Sequence, residues 1–158
     1  MGKGKMVICT ILLLCTMCFF SGCQERTGTP EESPYYAFQG VRIGTAFGDA
    51  QDVFGAYENR IAEDAHLVQY LYAHFFVITA QKGDGEEITT IVLRSNAVGT
   101  EEGVSIGDGR EKVIETYGAD FTEEQGQMTY VKQDTALTFL VDEEGIVLSI
   151  TYSRIAEE

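Results

Sequence analysis

The sequence predicts an α+β fold of two tandem repeats, each a short helix packed on a three- to four-stranded antiparallel β-meander. Three observations carry that expectation. Gly40-Val41-Arg42-Ile43-Gly44 returns 63 residues on as Gly103-Val104-Ser105-Ile106-Gly107, and in the same register Phe54-Gly55-Ala56 meets Tyr117-Gly118-Ala119. After each aromatic-Gly pair the pattern switches to period 2, with apolar and polar residues alternating along short runs. The runs are separated by turns of glycine and acidic residues, as in a meander covered on one side.

Taken in chain order, the first element is an address. Lys3 and Lys5 precede an apolar run from Met6 to Phe20, and Ser21-Gly22 supply small residues before Cys23. This is the charge, core and cleavage pattern of a secretory signal over residues 1–22, and the run is shorter than the roughly 20 residues a spanning helix needs. All four cysteines lie in this segment or at its end, so the mature folded part has no thiol to pair and depends on its core for stability. Cleavage before Cys23 leaves 25 acids against 9 bases, a net charge of −16. Residues 23–39 follow as a tether that holds both prolines, Pro30 and Pro34, and few large apolar residues before Tyr35, Tyr36 and Phe38, where packing starts. The sixteen residues from Gln24 to Gln39, fully extended, reach at most roughly 50 Å, enough to lift a small domain clear of lipid headgroups.

The first repeat is expected over residues 40–97. Thr45 takes the helix cap position, Phe47, Ala50, Val53 and Phe54 form the buried stripe, and Gly55 stops the helix. Leu67 to Tyr72, His74 to Gln81 and Ile88 to Arg94 read as its strands. The second repeat is expected over residues 98–155. Asp108 caps its helix with Glu111 closing a capping box, Val113, Ile114 and Tyr117 make the stripe, and Gly118 is the stop. Its strands are Met128 to Lys132, Ala136 to Val141 and Ile146 to Tyr152, with Leu148, Ile150 and Tyr152 on one apolar face.

Two resemblances enter on these residues. Phe20-Ser21-Gly22-Cys23 resembles the lipobox of bacterial lipoproteins, with Phe20 in place of the usual Leu, and the resemblance implies that Cys23 is acylated and becomes the mature N-terminus. The Gly-Val-x-Ile-Gly turn, the short helix ending in an aromatic-Gly pair and the small meander resemble the tandem repeats of the β-lactamase inhibitory protein and of envelope lipoproteins of the SmpA/BamE type. That second resemblance implies an α+β scaffold with a non-enzymatic, protein-binding role. It carries over scaffold glycines and apolar positions only, since the inhibitor's contact residues and disulfides have no counterpart in this sequence.

Chemistry is sparse. The mature chain's histidines, His66 and His74, have no equivalents in the second repeat and read as half-exposed sheet residues, so neither a nucleophile-base pair nor a zinc site is expected. The acidic clusters Asp84-Glu86-Glu87, Glu101-Glu102-Asp108 and Asp142-Glu143-Glu144 lack the spacing of a calcium loop and read as solvated turns. Gly83-x-Gly85 and Gly107-x-Gly109 are turn glycines without the Lys-Ser/Thr of a phosphate loop. No cofactor is expected. The net charge of −14 excludes a nucleic-acid partner of the usual kind, because phosphates are held by Lys and Arg.

What remains is surface for a protein. Tyr70 and Tyr72 share one strand face, and Tyr130 takes the corresponding place in the second repeat. These rings either meet a partner or pack between the repeats, and as a partner surface they fit the enrichment of tyrosine at interfaces. The sequence therefore reads as an extracytoplasmic lipoprotein, held at the bacterial cell membrane by the lipid on Cys23, and as a non-enzymatic module for a basic protein or peptide. The alternative reading is a small-ligand or cation-binding envelope lipoprotein that uses the acidic turns.

Overall fold

A computed structural model of the chain describes residues 33–62, 64 and 66–155. The expected signal segment 1–22, Cys23 and the tether as far as residue 32 lie outside the described residues. The remainder of the expected tether belongs to the fold: Tyr36 and Phe38 are buried. Ala37–Phe38 (β1) and Val41–Arg42 (β2) form a hairpin that closes through Gln39 and Gly40, both at positive φ. Two consecutive left-handed residues give the tight turn whose twist matches the flanking strands.

The other strands are Asn59–Ala62 (β3), Leu67–Leu71 (β4), Phe75–Lys82 (β5), Gly85–Leu93 (β6), Thr122–Glu124 (β7), Gln127–Lys132 (β8), Thr135–Val141 (β9) and Val147–Arg154 (β10). They form one antiparallel sheet in the order β3-β4-β5-β6-β10-β9-β8-β7. The helices are Phe47–Phe54 (α1) and Arg110–Tyr117 (α2).

This corrects the expected fold class. The protein is mostly β, with a single eight-stranded sheet and two helices, and is not two repeats of helix plus meander. The physical reason is the free edge that a separate meander would leave. The first half ends in β6 and the second in β10, and these strands pair with each other, Ile150 opposite Leu93 and Tyr152 opposite Ile91. Two long apolar edges that would otherwise invite aggregation are consumed in that pairing. One core then serves both halves, running from Phe38 and Val77 through Ile91 and Ile150 to Phe139 and Met128.

Helix and strand details differ from the sequence reading for local reasons. The N-cap of α1 is Ala46 and that of α2 is Gly109, neither with a side-chain cap bond. Asp108 instead accepts hydrogen bonds from the Ser105 backbone N–H and the Lys112 ammonium. The glycine stops hold, with the Gly55 and Gly118 N–H groups donating to Gln51 and Ile114. Val53, expected in the buried stripe, is exposed, and so is Leu148. The register shift between Val147 and Ser149 turns Leu148 outward, because the extra residue of a bulge has no cross-strand partner. β3 and β7 escape a period-2 reading because all their residues are exposed.

Helices of eight residues are too short to be stable alone, so their apolar sides must be covered by the sheet. Phe47 of α1 stacks on Tyr70 of β4 at 3.8 Å between centroids. Val113 of α2 is fully buried, which contributes about 1.5–3 kcal/mol for a side chain of this size.

Candidate functional site

Both helices and the β1–β2 hairpin lie on the same face of the sheet. Phe38 reaches Phe54, Phe75 and Tyr152, and Tyr117 reaches Tyr130 and Phe139. Tyr70, Tyr72 and Tyr130 are on this covered face, with 5%, 5% and 2% of their surface exposed. The sheet does not present these rings to a partner; they belong to the core. The Tyr70 hydroxyl donates to Glu86 (2.9 Å) and accepts from Arg60 Nε (3.2 Å). The Tyr130 hydroxyl donates to the Gly118 carbonyl at 2.9 Å. Among the described residues the buried hydroxyl of Tyr72 has no hydrogen-bond partner, and neither has that of Tyr152. Burial pushes all four phenols up from their ordinary range.

The opposite face is open among the described residues, and the register defines it. One complete row crosses all eight strands: Asn59, Leu71, Phe76, Val92, Thr151, Thr138, Thr129 and Thr122. The next row reads Ile61, Gln69, Ile78, Thr90, Ser153, Ala136 and Val131. Neither row contains a charged side chain, in a chain of which 23% is charged. Along β4 to β6 the face is apolar, and along β10, β9 and β8 it turns to hydroxyls. A groove of about 270 Å³ runs over the hydroxyl half, lined by Gln127, Thr138, Leu140, Ser149, Thr151 and Ser153. The Thr129 and Thr138 hydroxyls bond each other at 3.1 Å.

Charge lies outside these two rows, with Glu87 in the next row opposite Ala80 and Glu124 opposite Gln127. Glu87 is 8% exposed and is held by Lys82 and by Arg154 at 2.8 Å. The Lys82 hydrogen bond pulls its carboxyl below the usual carboxylate range, with Arg154 adding to the effect against the cost of burial. Arg110 makes a two-pronged bond to Glu123, both contacts at 2.6 Å, and lowers the Glu123 carboxyl likewise. Arg60, Lys82, Arg110, Lys112 and Arg154 are thus tied to carboxylates, while Glu124, Glu143 and Glu144 are exposed with no ion pair among the described residues. The two histidines form no metal cluster, and no group of three or more His, Cys, Asp or Glu side chains able to hold a metal occurs among the described residues. His74 Nδ1 meets the Ser95 hydroxyl at 3.1 Å, and among the described residues no carboxylate is bonded to the ring. A polar cavity of about 420 Å³ lies at the start of α1, between Arg42, Thr45, Asp49 and Asp134.

The sequence signal for the open face was the polar half of each alternation, Thr138 and Leu140 in one strand and Ser149, Thr151 and Ser153 in another. Period 2 separates the two faces but does not say which one the helices cover, and Tyr70, Tyr72 and Tyr130 lie on the covered one.

No family model matches the chain, and no curated protein matches it. Among solved structures it is similar to a cysteine-rich secretory protein from Staphylococcus aureus subsp. aureus Mu50, at 14% identity and a TM-score of 0.58, over 75% of this chain and 45% of that one. It is also similar to a DUF4309 family protein from Bacillus subtilis subsp. subtilis str. 168, at 16% identity and a TM-score of 0.50, over 74% of this chain and 84% of that one. The chain spans less than half the length of the S. aureus protein. At these identities the likeness shows the fold alone. Neither protein is named for the β-lactamase inhibitory or SmpA/BamE families that the sequence resembles.

Proposed function

We propose that this chain is an extracytoplasmic lipoprotein of the bacterial envelope, anchored through acylated Cys23, whose folded part is a non-catalytic module that binds a protein or peptide. The open sheet face carries this reading. Two adjacent rows of half-buried apolar and hydroxyl side chains contain no charge, although the chain's net charge is −14. A large uncharged area of this kind, rimmed by polar turns, is the usual mark of a contact surface. The excess carboxylates around it favour a basic partner, and steering by them makes association weaken with salt. For the address, the basic start, short apolar run and Phe20-Ser21-Gly22-Cys23 are the support. The S. aureus protein of similar fold is named a secretory protein, which agrees with an exported location.

Partner recovery from the chain's own envelope tests the binding half of the reading. Phe76→Glu places a charge in the middle of the uncharged row and is expected to abolish recovery, whereas Val53→Glu on the outer side of α1 leaves it unchanged. Equal recovery with both variants, or a melting shift with calcium and no partner, would contradict the reading. The anchor is tested by Cys23→Ser, which should move the protein from the membrane to the soluble fraction.

A further inference from the structure

We propose that the open face takes an extended peptide segment with an uncharged middle and a lysine- or arginine-bearing end, the basic end lying over the β9–β10 turn. This rests on the reading of that face as a protein- or peptide-binding surface, and names the chemistry of its occupant.

The argument starts from the groove on β8, β9 and β10. The side chains of Gln127, Ser149, Thr151 and Ser153 make no hydrogen bond within the described chain, although each lies on a groove wall. A hydroxyl both donates and accepts, and so does a glutamine amide. This lining satisfies the N–H and C=O groups of an extended backbone but cannot neutralise a charge. Leu140 adds an apolar contact in the groove, and Phe76, Ile78 and Val92 offer further apolar contact toward β5 and β6.

Electrostatics gives the segment a direction. The Gln127, Leu140 and Ser149 end of the groove runs into the turn Asp142-Glu143-Glu144-Gly145, and Glu124 sits opposite Gln127 in register. Asp142 is engaged with the Glu144 and Ile146 backbone N–H groups, which leaves Glu124, Glu143 and Glu144 free to meet a cation. These exposed carboxylates act at the rim, where charge sets on-rate and salt dependence.

The other occupants fit less well. In a face-to-face pair of two copies, acidic rims would meet acidic rims, and like-charge juxtaposition at an interface costs several kcal/mol. An anionic lipid surface is repelled for the same reason. A glycan would want an aromatic ring to stack on in the groove, but the rings of Tyr130, Phe139 and Tyr152 in β8, β9 and β10 all point to the covered face, and Phe76, a ring on the open face, lies on β5, two strands away from β10.

The test pans a random peptide library against the lipidated full chain in detergent micelles and titrates a selected peptide by fluorescence anisotropy. Selected sequences should carry Lys or Arg at one end and none in the middle. Thr151→Arg should weaken the selected peptide about tenfold or more, and Glu143→Lys combined with Glu144→Lys should remove most of its salt dependence. These positions are at the surface, so an unchanged melting temperature shows that each variant is folded. Selection of acidic or end-neutral peptides, indifference to the three substitutions, a glycan that binds where peptides do not, or dimers abolished by Phe76→Glu would each overturn the proposal. The two layers are separable. An envelope partner lost on Phe76→Glu alongside acidic selected peptides removes the basic-end chemistry but leaves the binding face standing, whereas no envelope partner and no selected peptide removes both.

Discussion

At the scale of single residues, Tyr130 and Tyr152 occupy similar buried positions yet should respond oppositely to losing a hydroxyl. The Tyr130 hydroxyl bonds the Gly118 carbonyl, so Tyr130→Phe is expected to cost about 1 kcal/mol. The Tyr152 hydroxyl is buried without a partner among the described residues, so it loses water for no bond, and Tyr152→Phe should be neutral or stabilising in chemical denaturation. Tyr70→Ala removes the ring stacked on Phe47 and should cost about 3–5 kcal/mol, so a lost partner in that variant would report unfolding and not contact. The repeated glycines are likewise unequal. Gly44 and Gly107 both have φ near +90°, but a Cβ on Gly44 would come within 2.8 Å of the Arg154 guanidinium, while one on Gly107 meets nothing. Gly107→Ala should cost roughly 1–2 kcal/mol of backbone strain, and Gly44→Ala measurably more, since it also disturbs the Arg154–Glu87 pair. Glu87 sets a pH limit. Its folded-state carboxyl titrates below its unfolded value, so its contribution is complete above the ordinary carboxylate pKa of about 4.3 and is lost as pH falls through the folded value. Melting temperatures measured across the acid range should fall there, and Glu87→Gln should flatten that limb.

Elements differ in how far the sequence revealed them. Strands β4, β5, β6, β8, β9 and β10 were legible from alternation, because one side of each is buried under helices and that burial imposes period 2. β3 and β7 were not, since they are edge strands exposed along their length and bear no apolar pattern to read. The helices were found through their glycine stops, but their caps were misplaced by one residue: Asp108 had a better use for its carboxylate in the Ser105 turn and the Lys112 pair. The candidate site was half legible. Its residues were visible as the polar members of each alternation, yet their importance depended on which face the helices occupy, and that is decided by contacts such as Phe47 on Tyr70 that no local pattern encodes.

For the molecule as a whole, the joining of β6 to β10 underlies stability and, in the proposed reading, the binding face. Each half alone would expose a long apolar edge and part of the common core, so segments 40–97 and 98–155 made separately should be unfolded by circular dichroism, while the intact chain melts in one cooperative transition. The same joining makes the uncharged rows continuous from the apolar strands to the hydroxyl strands, a surface that neither half could offer by itself. The central claim is that this surface, and not the helical side, meets a partner. It is tested most directly by placing a photo-crosslinking side chain at Thr151 or Thr138 on the open face and at Val53 on α1, then irradiating the protein in its own envelope. The account predicts one recurrent adduct from Thr151 and Thr138 and none from Val53. Adducts from Val53 with none from the open face would contradict it.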